Sequence, residues 1–191
     1  MPEANSCHEQ ELRLLEDFPP VPTEAWEEAI RADLKGADYE KKLIWKTPEG
    51  VAVRPYYRRG DLPPVQYRHC VASPWEMAEG PLPEGVVNGA AYHERGATAV
   101  QELAFTLAEA SDRLAAGQEV EGLAFGIGST YFMEIAKLRA ARLLYARVAE
   151  AYGKSPETRL HAVTALSNKS IYDPWTNLLR STTEALSAVL G

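Results

Sequence analysis

GLAFGIGSTYFMEIAKLRAARLLYARVAEAY, residues 122–152, decides the fold. It opens as a short apolar run punctuated by glycine and continues without glycine or proline. The first part reads as a buried strand, the second as a helix from about Ser129 to Tyr152. On that helix Phe132, Ala136, Ala140, Leu143 and Leu144 are predicted to form the apolar stripe, with Glu134 and Arg142 on the far side. A short apolar strand that runs straight into a long amphipathic helix is the repeating unit of a parallel α/β sheet.

The same beat extends in both directions. Upstream, GVVNGAA (85–91) is strand-like, and a helix follows from about Thr98 to Ala116, with Val100, Leu103, Leu107 and Leu114 on one face and Gly117 as its stop. Downstream, TRLHAVTAL (158–166) is the third run. Asp173 as N-cap and Pro174 at the first helical position then open a last helix, with Trp175, Leu178, Leu179, Leu186 and Val189 as its expected inner face. The runs begin near Gly85, Gly122 and Arg159, 37 residues apart each time. A closed barrel needs about eight such units in roughly 250 residues. The expected fold is therefore α/β: a partial (β/α) barrel or small parallel sheet of about three βα units, whose open edges call for a cover.

Before this region the texture differs. PTEAWEEAIRADLKG (22–36) reads as a helix with Thr23 as N-cap, Trp26 and Ile30 on one face and Gly36 at its end. KLIWKT and VAVRPYY, joined by PEG, give a hairpin. Residues 58–85 hold five prolines without a sustained period and read as loop. The division expected is an N-terminal arm over 1–84, without a large core of its own, and a barrel-derived domain over 85–191.

Composition narrows the function. With 20 basic and 27 acidic residues the net charge is −7, which argues against nucleic-acid binding. No apolar run is long enough to span a membrane, and the polar, acidic start is unlike a targeting peptide, so the cytoplasm is the expected location. Cys7 and Cys70 show no metal or redox spacing. His8, His69, His93 and His161 never fall three or four residues apart, so no metal site is expected. GIGST resembles a phosphate loop but lacks its lysine, and tight packing is the simpler reason for its glycines. KLRAARLLYAR and YYRRGD carry basic residues whose default place is solvent.

Four segments carry a resemblance. DLKGADYEKKLIWKTPEGVAVRPYYRRGDL (33–62), GATAVQELAFTLAEASDRLAAG (96–117), FGIGSTYFMEIAKLRAARLLYARV (125–148) and LHAVTALSNKSIYDPWTNLLRSTTEALSAVLG (160–191) resemble, in order, segments of the cobalamin-dependent acyl-CoA mutases of the methylmalonyl-CoA mutase type. GIGSTYF and NKSIYDPWTNLLRSTTEA look closer to the small, non-catalytic subunit of two-subunit mutases than to the catalytic one. The D-x-H-x-x-G motif of the family's cobalamin domain does not occur here, and the early barrel strands expected between Leu62 and Gly85 are largely missing.

The resemblance also implies which reactive residues are gone. Aligned on Gly96 and Ala97, the family's catalytic Tyr-His positions are Ala90 and Ala91; Tyr92 and His93 lie two residues later and read as a loop pair meeting water or backbone. Where catalytic chains carry Asn-Ala-His, this chain has Gly126, Ile127 and Gly128. His161 matches a family histidine, but the glutamine two residues on is Val163. The positions left to touch a substrate are Asn88, Ser129, His161, Thr164 and Asn168. The implied function is a non-catalytic or accessory subunit, inactive alone, that binds no cofactor itself. Its partner is a cobalamin-binding catalytic chain carrying adenosylcobalamin, or a second copy of itself. The alternative is a stand-alone module for a CoA ester or small anion.

Overall fold

The computed structural model describes residues 18–62 and 75–191. Cys7, His8, His69, Cys70 and the middle of the proline-rich stretch lie outside the described residues. The chain falls into two compact units, one within residues 1–46 and 52–57, the other within 47–51 and 58–191.

The first unit contains α1 (Thr23–Asp33), α2 (Tyr39–Leu43) and a short antiparallel ladder of β1 (Trp45–Lys46) and β2 (Ala52–Val53). The cap of α1 is Pro22 rather than Thr23, which is the first helical residue, and Pro22 itself makes no side-chain cap hydrogen bond. Gly36, in the left-handed region at φ +87°, lies just past the helix. Trp26 meets Tyr56 edge-to-face at 5.1 Å. Neither helix of this unit buries a residue.

The second unit is built on a three-stranded parallel sheet, β3 (Val86–Asn88), β4 (Gly122–Ile127) and β5 (Arg159–Thr164), in the order β3-β4-β5. Val86 pairs with Gly122 and Gly122 with Arg159, so the shared starts expected from the repeat are real strand neighbours. Every residue of β4 is buried, as a central parallel strand requires. The sheet does not close into a barrel. Outside the turn Arg59–Asp61, the described residues of 58–62 and 75–85 form no regular element.

Four helices complete the unit: α3 (Ala90–Glu94), α4 (Ala99–Ala115), α5 (Tyr131–Ala151) and α6 (Pro174–Leu190). Thr98 starts α4 through a capping box: its hydroxyl accepts from Gln101 N–H at 3.3 Å and Gln101 Oε1 accepts from Thr98 N–H at 3.0 Å. Asp173 caps α6, accepting from Thr176 N–H at 3.2 Å. The core joins Leu123, Phe125 and Ile127 of β4 to Leu103, Ala110, Leu138, Ala141 and Tyr145. Full burial of a side chain such as Phe125 contributes about 1.5–3 kcal/mol.

Three helix faces differ from the periodicity reading. On α4, Leu103 and Leu114 face inward but Val100 is exposed, and Glu102 and Thr106 take inner positions. On α5 the buried stripe is Glu134, Lys137, Leu138, Ala141, Tyr145, Ala146 and Ala149, while Phe132, Ala136, Leu143 and Leu144 face outward. Glu134, expected on the far side, is inside because the sheet edge beneath it needs polar partners. On α6 the expected inner face is the outer one: Trp175, Leu178, Leu179, Leu186 and Val189 are exposed, and Glu184 and Ser187 are buried. Ser187 Oγ donates to Glu184 O within the helix, and Glu184 with its neighbours serves the turn between β5 and α6. Glu184 binds Lys169 Nζ at 2.5 Å, Arg180 donates to Asn168 O, and Asn177 Oδ1 accepts from Ser170 N–H at 2.8 Å.

Candidate functional site

β3 is three residues long and β4 six, so β4 runs on past its neighbour. Asn88 pairs with Ala124, and from there, among the described residues, the edge of β4 facing β3 has no strand beside it. Buried peptide groups left that way are costly. Two helix side chains take the strand's place. Glu102 Oε1 accepts from Gly126 N–H at 2.7 Å, and Lys137 Nζ donates to Gly126 O at 2.5 Å.

A charge cluster grows from this clamp. Lys137 Nζ also reaches Glu102 Oε2 and Glu134 Oε2, each at 2.6 Å, the latter as an ion-pair contact without hydrogen-bond alignment. Glu134 Oε1 accepts from Gly128 N–H at 3.2 Å. His93 Nδ1 lies 3.2 Å from Glu102 Oε2. Glu102, Lys137 and Glu134 are 0%, 2% and 4% exposed. Two carboxylates against one ammonium leave an unbalanced buried negative charge, which a proton on His93 would neutralise. The imidazole pKa is accordingly raised by its hydrogen bond to Glu102, against the opposing effects of burial and Lys137.

The His93 ring explains the glycines of the second strand. A Cβ on Gly126 would come within 2.5 Å of His93 Cγ, and one on Gly128 within 3.2 Å of His93 Nε2. Tight packing is therefore the reason for this glycine pair. Tyr92 and His93 are not a loop pair meeting water or backbone: both lie in α3 and both have carboxylate partners. Tyr92 turns the other way, donating to Glu109 Oε2 at 3.3 Å beside Phe105. They do not act on a common point. His93 has the carboxylate partner of a general base, yet no hydroxyl or thiol among the described residues is recorded hydrogen-bonded to it.

The residues assigned to substrate scatter. Asn88 and Thr164 end the two outer strands of the sheet and both line one open hollow of about 280 Å³, with Ala90, Ala91, Val163 and Leu166. Glu94 braces its rim, its carboxylate accepting from Leu166 N–H at 2.7 Å and Ser167 N–H at 3.1 Å. Ser129 is exposed in the turn before α5. The His161 ring lies against Gly122 near the start of the strands, its pKa lowered by burial and by Arg159. Asn168 is tied to Glu184 at 2.7 Å. Glu102, Glu134 and Lys137 went unassigned in the sequence. The available signal was charge at buried phases of the stripe: Glu102 beside Leu103, Lys137 beside Leu138.

A profile of methylmalonyl-CoA mutase matches residues 75–191, which include this whole cluster and hollow. The chain belongs to the methylmalonyl-CoA mutase family. A methylmalonyl-CoA mutase small subunit of Porphyromonas gingivalis is 27% identical over 326 residues, covering 94% of this chain and 53% of the relative. That alignment is far longer than the 191-residue chain, so the relative carries a long stretch without counterpart here. The methylmalonyl-CoA mutase of Rhizobium meliloti is 39% identical over 146 residues, covering 68% of this chain and 20% of its own. The methylmalonyl-CoA mutase small subunit of Streptomyces virginiae is 44% identical over 117 residues, 55% of this chain and 19% of its own. The chain thus spans 53% of the first relative's length and 20% and 19% of the others'. Among the described residues, no helix is long and apolar enough to cross a membrane.

Proposed function

We propose that this mutase-family chain is a non-catalytic, accessory subunit. It works beside a cytoplasmic catalytic chain that holds adenosylcobalamin and performs the radical rearrangement of an acyl-CoA. One observation carries the reading: the His93 ring, anchored on Glu102, occupies the room over Gly126 and Gly128. By the family resemblance that is where reactive polar side chains belong. Ala90 and Ala91 at the start of α3 and Val163 on β5 carry no reactive group either.

Among the described residues, neither histidine is placed to hold cobalamin. His93 is bound to Glu102 and overlies Gly126, and the half-buried His161 ring rests on Gly122, so neither is presented to a corrin-sized ligand. The reading therefore gives the cofactor to the partner. It also gives the first 84 residues the role of an arm laid on that partner, and residues 85–191 that of the barrel-derived body. Relatives named small subunit support this direction.

The test is co-purification with a cobalamin-binding mutase chain, followed by that chain's thermal stability and turnover with and without this one. A stable complex that raises either is expected; no association and no effect would end the reading. The hollow at Asn88 and Thr164 keeps a second reading open, a module for a CoA ester or small anion. Calorimetry with CoA and acyl-CoA on the isolated chain separates the two, since tight binding belongs only to the module.

A further inference from the structure

Helix α3 is five residues long and buries only Ala90. A helix that short does not hold itself together, so its seat depends on its side chains. Three of them reach other elements. Tyr92 OH meets Glu109 Oε2 at 3.3 Å, Glu94 accepts from Leu166 and Ser167 N–H, and His93 Nδ1 lies 3.2 Å from Glu102 Oε2. The Glu94 bonds are exposed and the Tyr92 bond is half-buried, so water competes for both. Of the three, His93 alone reaches a fully buried carboxylate.

The charges around His93 balance in one protonation state. Glu102 faces the ring from α4, and Lys137 and Glu134 act on it from α5. β4 presents only the peptide groups of Gly126 and Gly128 beneath the ring. On α3 itself, Glu94 is turned to Leu166 and Ser167, and Arg95 lines a separate open hollow beside Phe105. With an imidazolium the group holds two positive and two negative charges. With a neutral ring one carboxylate is left without a counter-charge where water does not reach, which is strongly unfavourable. A neutral ring can still donate from Nδ1, but the bond loses the charge on its donor and weakens. Glu134 Oε2 makes no hydrogen bond that would offset the excess. Lifting α3 relieves it by letting water reach the carboxylates.

The same helix walls the hollow at Asn88 and Thr164 through Ala90, Ala91 and Glu94. We propose that His93 is a proton-operated latch: as the imidazolium it seats α3 over Gly126 and Gly128 and completes the hollow, and as the neutral ring it lets α3 swing off while the sheet stays folded. The seated form binds the proton more tightly, so seating is complete below the usual imidazole value of about 6.5 and is lost as pH rises through the folded value. This goes beyond the accessory reading and can fail without it.

Hydrogen exchange on the full chain, followed by NMR, tests the latch at the N–H groups of Gly126 and Gly128, over which the ring lies, against Leu123 in the core of β4. Rates are set against those of an unstructured chain at the same pH, giving a protection factor for each amide. Protection at the two glycines should fall by up to about tenfold per pH unit between about 6.5 and the His93 titration itself, one proton being released, while Leu123 holds. His93→Gln should abolish the dependence and leave both glycines at the released level. Glu134→Gln, which balances the charges around a neutral ring, should flatten the dependence with α3 still seated. Should His93→Gln not fold, the unaltered chain and Glu134→Gln decide. Protection indifferent to pH, a dependence that survives either substitution, or Leu123 falling in step with the glycines would each overturn the proposal.

Discussion

Lys137→Met is the sharpest test of the buried cluster. The ammonium lies 2.5 Å from Gly126 O and 2.6 Å from both Glu102 Oε2 and Glu134 Oε2, with its side chain fully buried. Methionine fills nearly the same volume, so little cavity is created and the loss is electrostatic. Removing one partner of a buried ion pair costs about 3–5 kcal/mol, because the other charge stays behind. Here two carboxylates stay behind, and Gly126 O loses its donor, a further loss of about 1–3 kcal/mol that overlaps with the first. A net loss near 4–5 kcal/mol is expected, a large part of the roughly 5–15 kcal/mol that holds a domain together. Urea unfolding at neutral pH measures it. The His93 pKa, followed by NMR, should rise further, since Lys137 is one of the influences lowering it. A loss below about 1 kcal/mol, with the His93 titration unmoved, would refute the assignment of Lys137 as the charge that closes this edge.

Other expectations follow from the same geometry. His93 has a raised pKa in the folded chain, so its contribution to stability is complete below the usual imidazole value of about 6.5 and fades as pH rises through the folded value. His161 is shifted down, so its contribution is present above that usual value and fades as pH falls through the folded value. Stability–pH curves of His93→Gln and His161→Gln, set against the unaltered chain, should each lose the corresponding limb. Gly126→Ala should cost about 1–3 kcal/mol by forcing the His93 ring off the strand; His93→Ala in the same chain should recover part of the loss in thermal unfolding. Glu94→Ala should speed hydrogen exchange at Leu166 and Ser167, whose N–H groups its carboxylate accepts, with a stability loss of about 0.5–1.5 kcal/mol.

The repeating strands were legible because burial on both faces makes β4 continuously apolar and the constant 37-residue step marks three like units; their order in the sheet was not legible, since it is set by pairing between distant runs. Helix faces were harder to read. Periodicity locates an apolar stripe but not what the stripe faces, and α6 is amphipathic in the expected phase while turned the other way. On α5 the inner stripe contains Glu134 and Lys137, which a hydrophobic count pushes outward. Their burial depends on β3 stopping at Asn88, a non-local fact that no window on α5 contains. His93 was misplaced for a related reason. Its partners Glu102 and Gly126 are far apart in the chain and meet only once the sheet has formed.

The clamp on Gly126 ties together features that look independent along the chain. Were β3 to grow by two residues, its own backbone would occupy the edge that Glu102 and Lys137 now serve, stranding a carboxylate and an ammonium beneath a sealed sheet. Were either residue exchanged for an aliphatic one, only a longer β3 would repair the gap. Strand length, one acid on α4 and one base on α5 thus depend on one another through a single peptide unit.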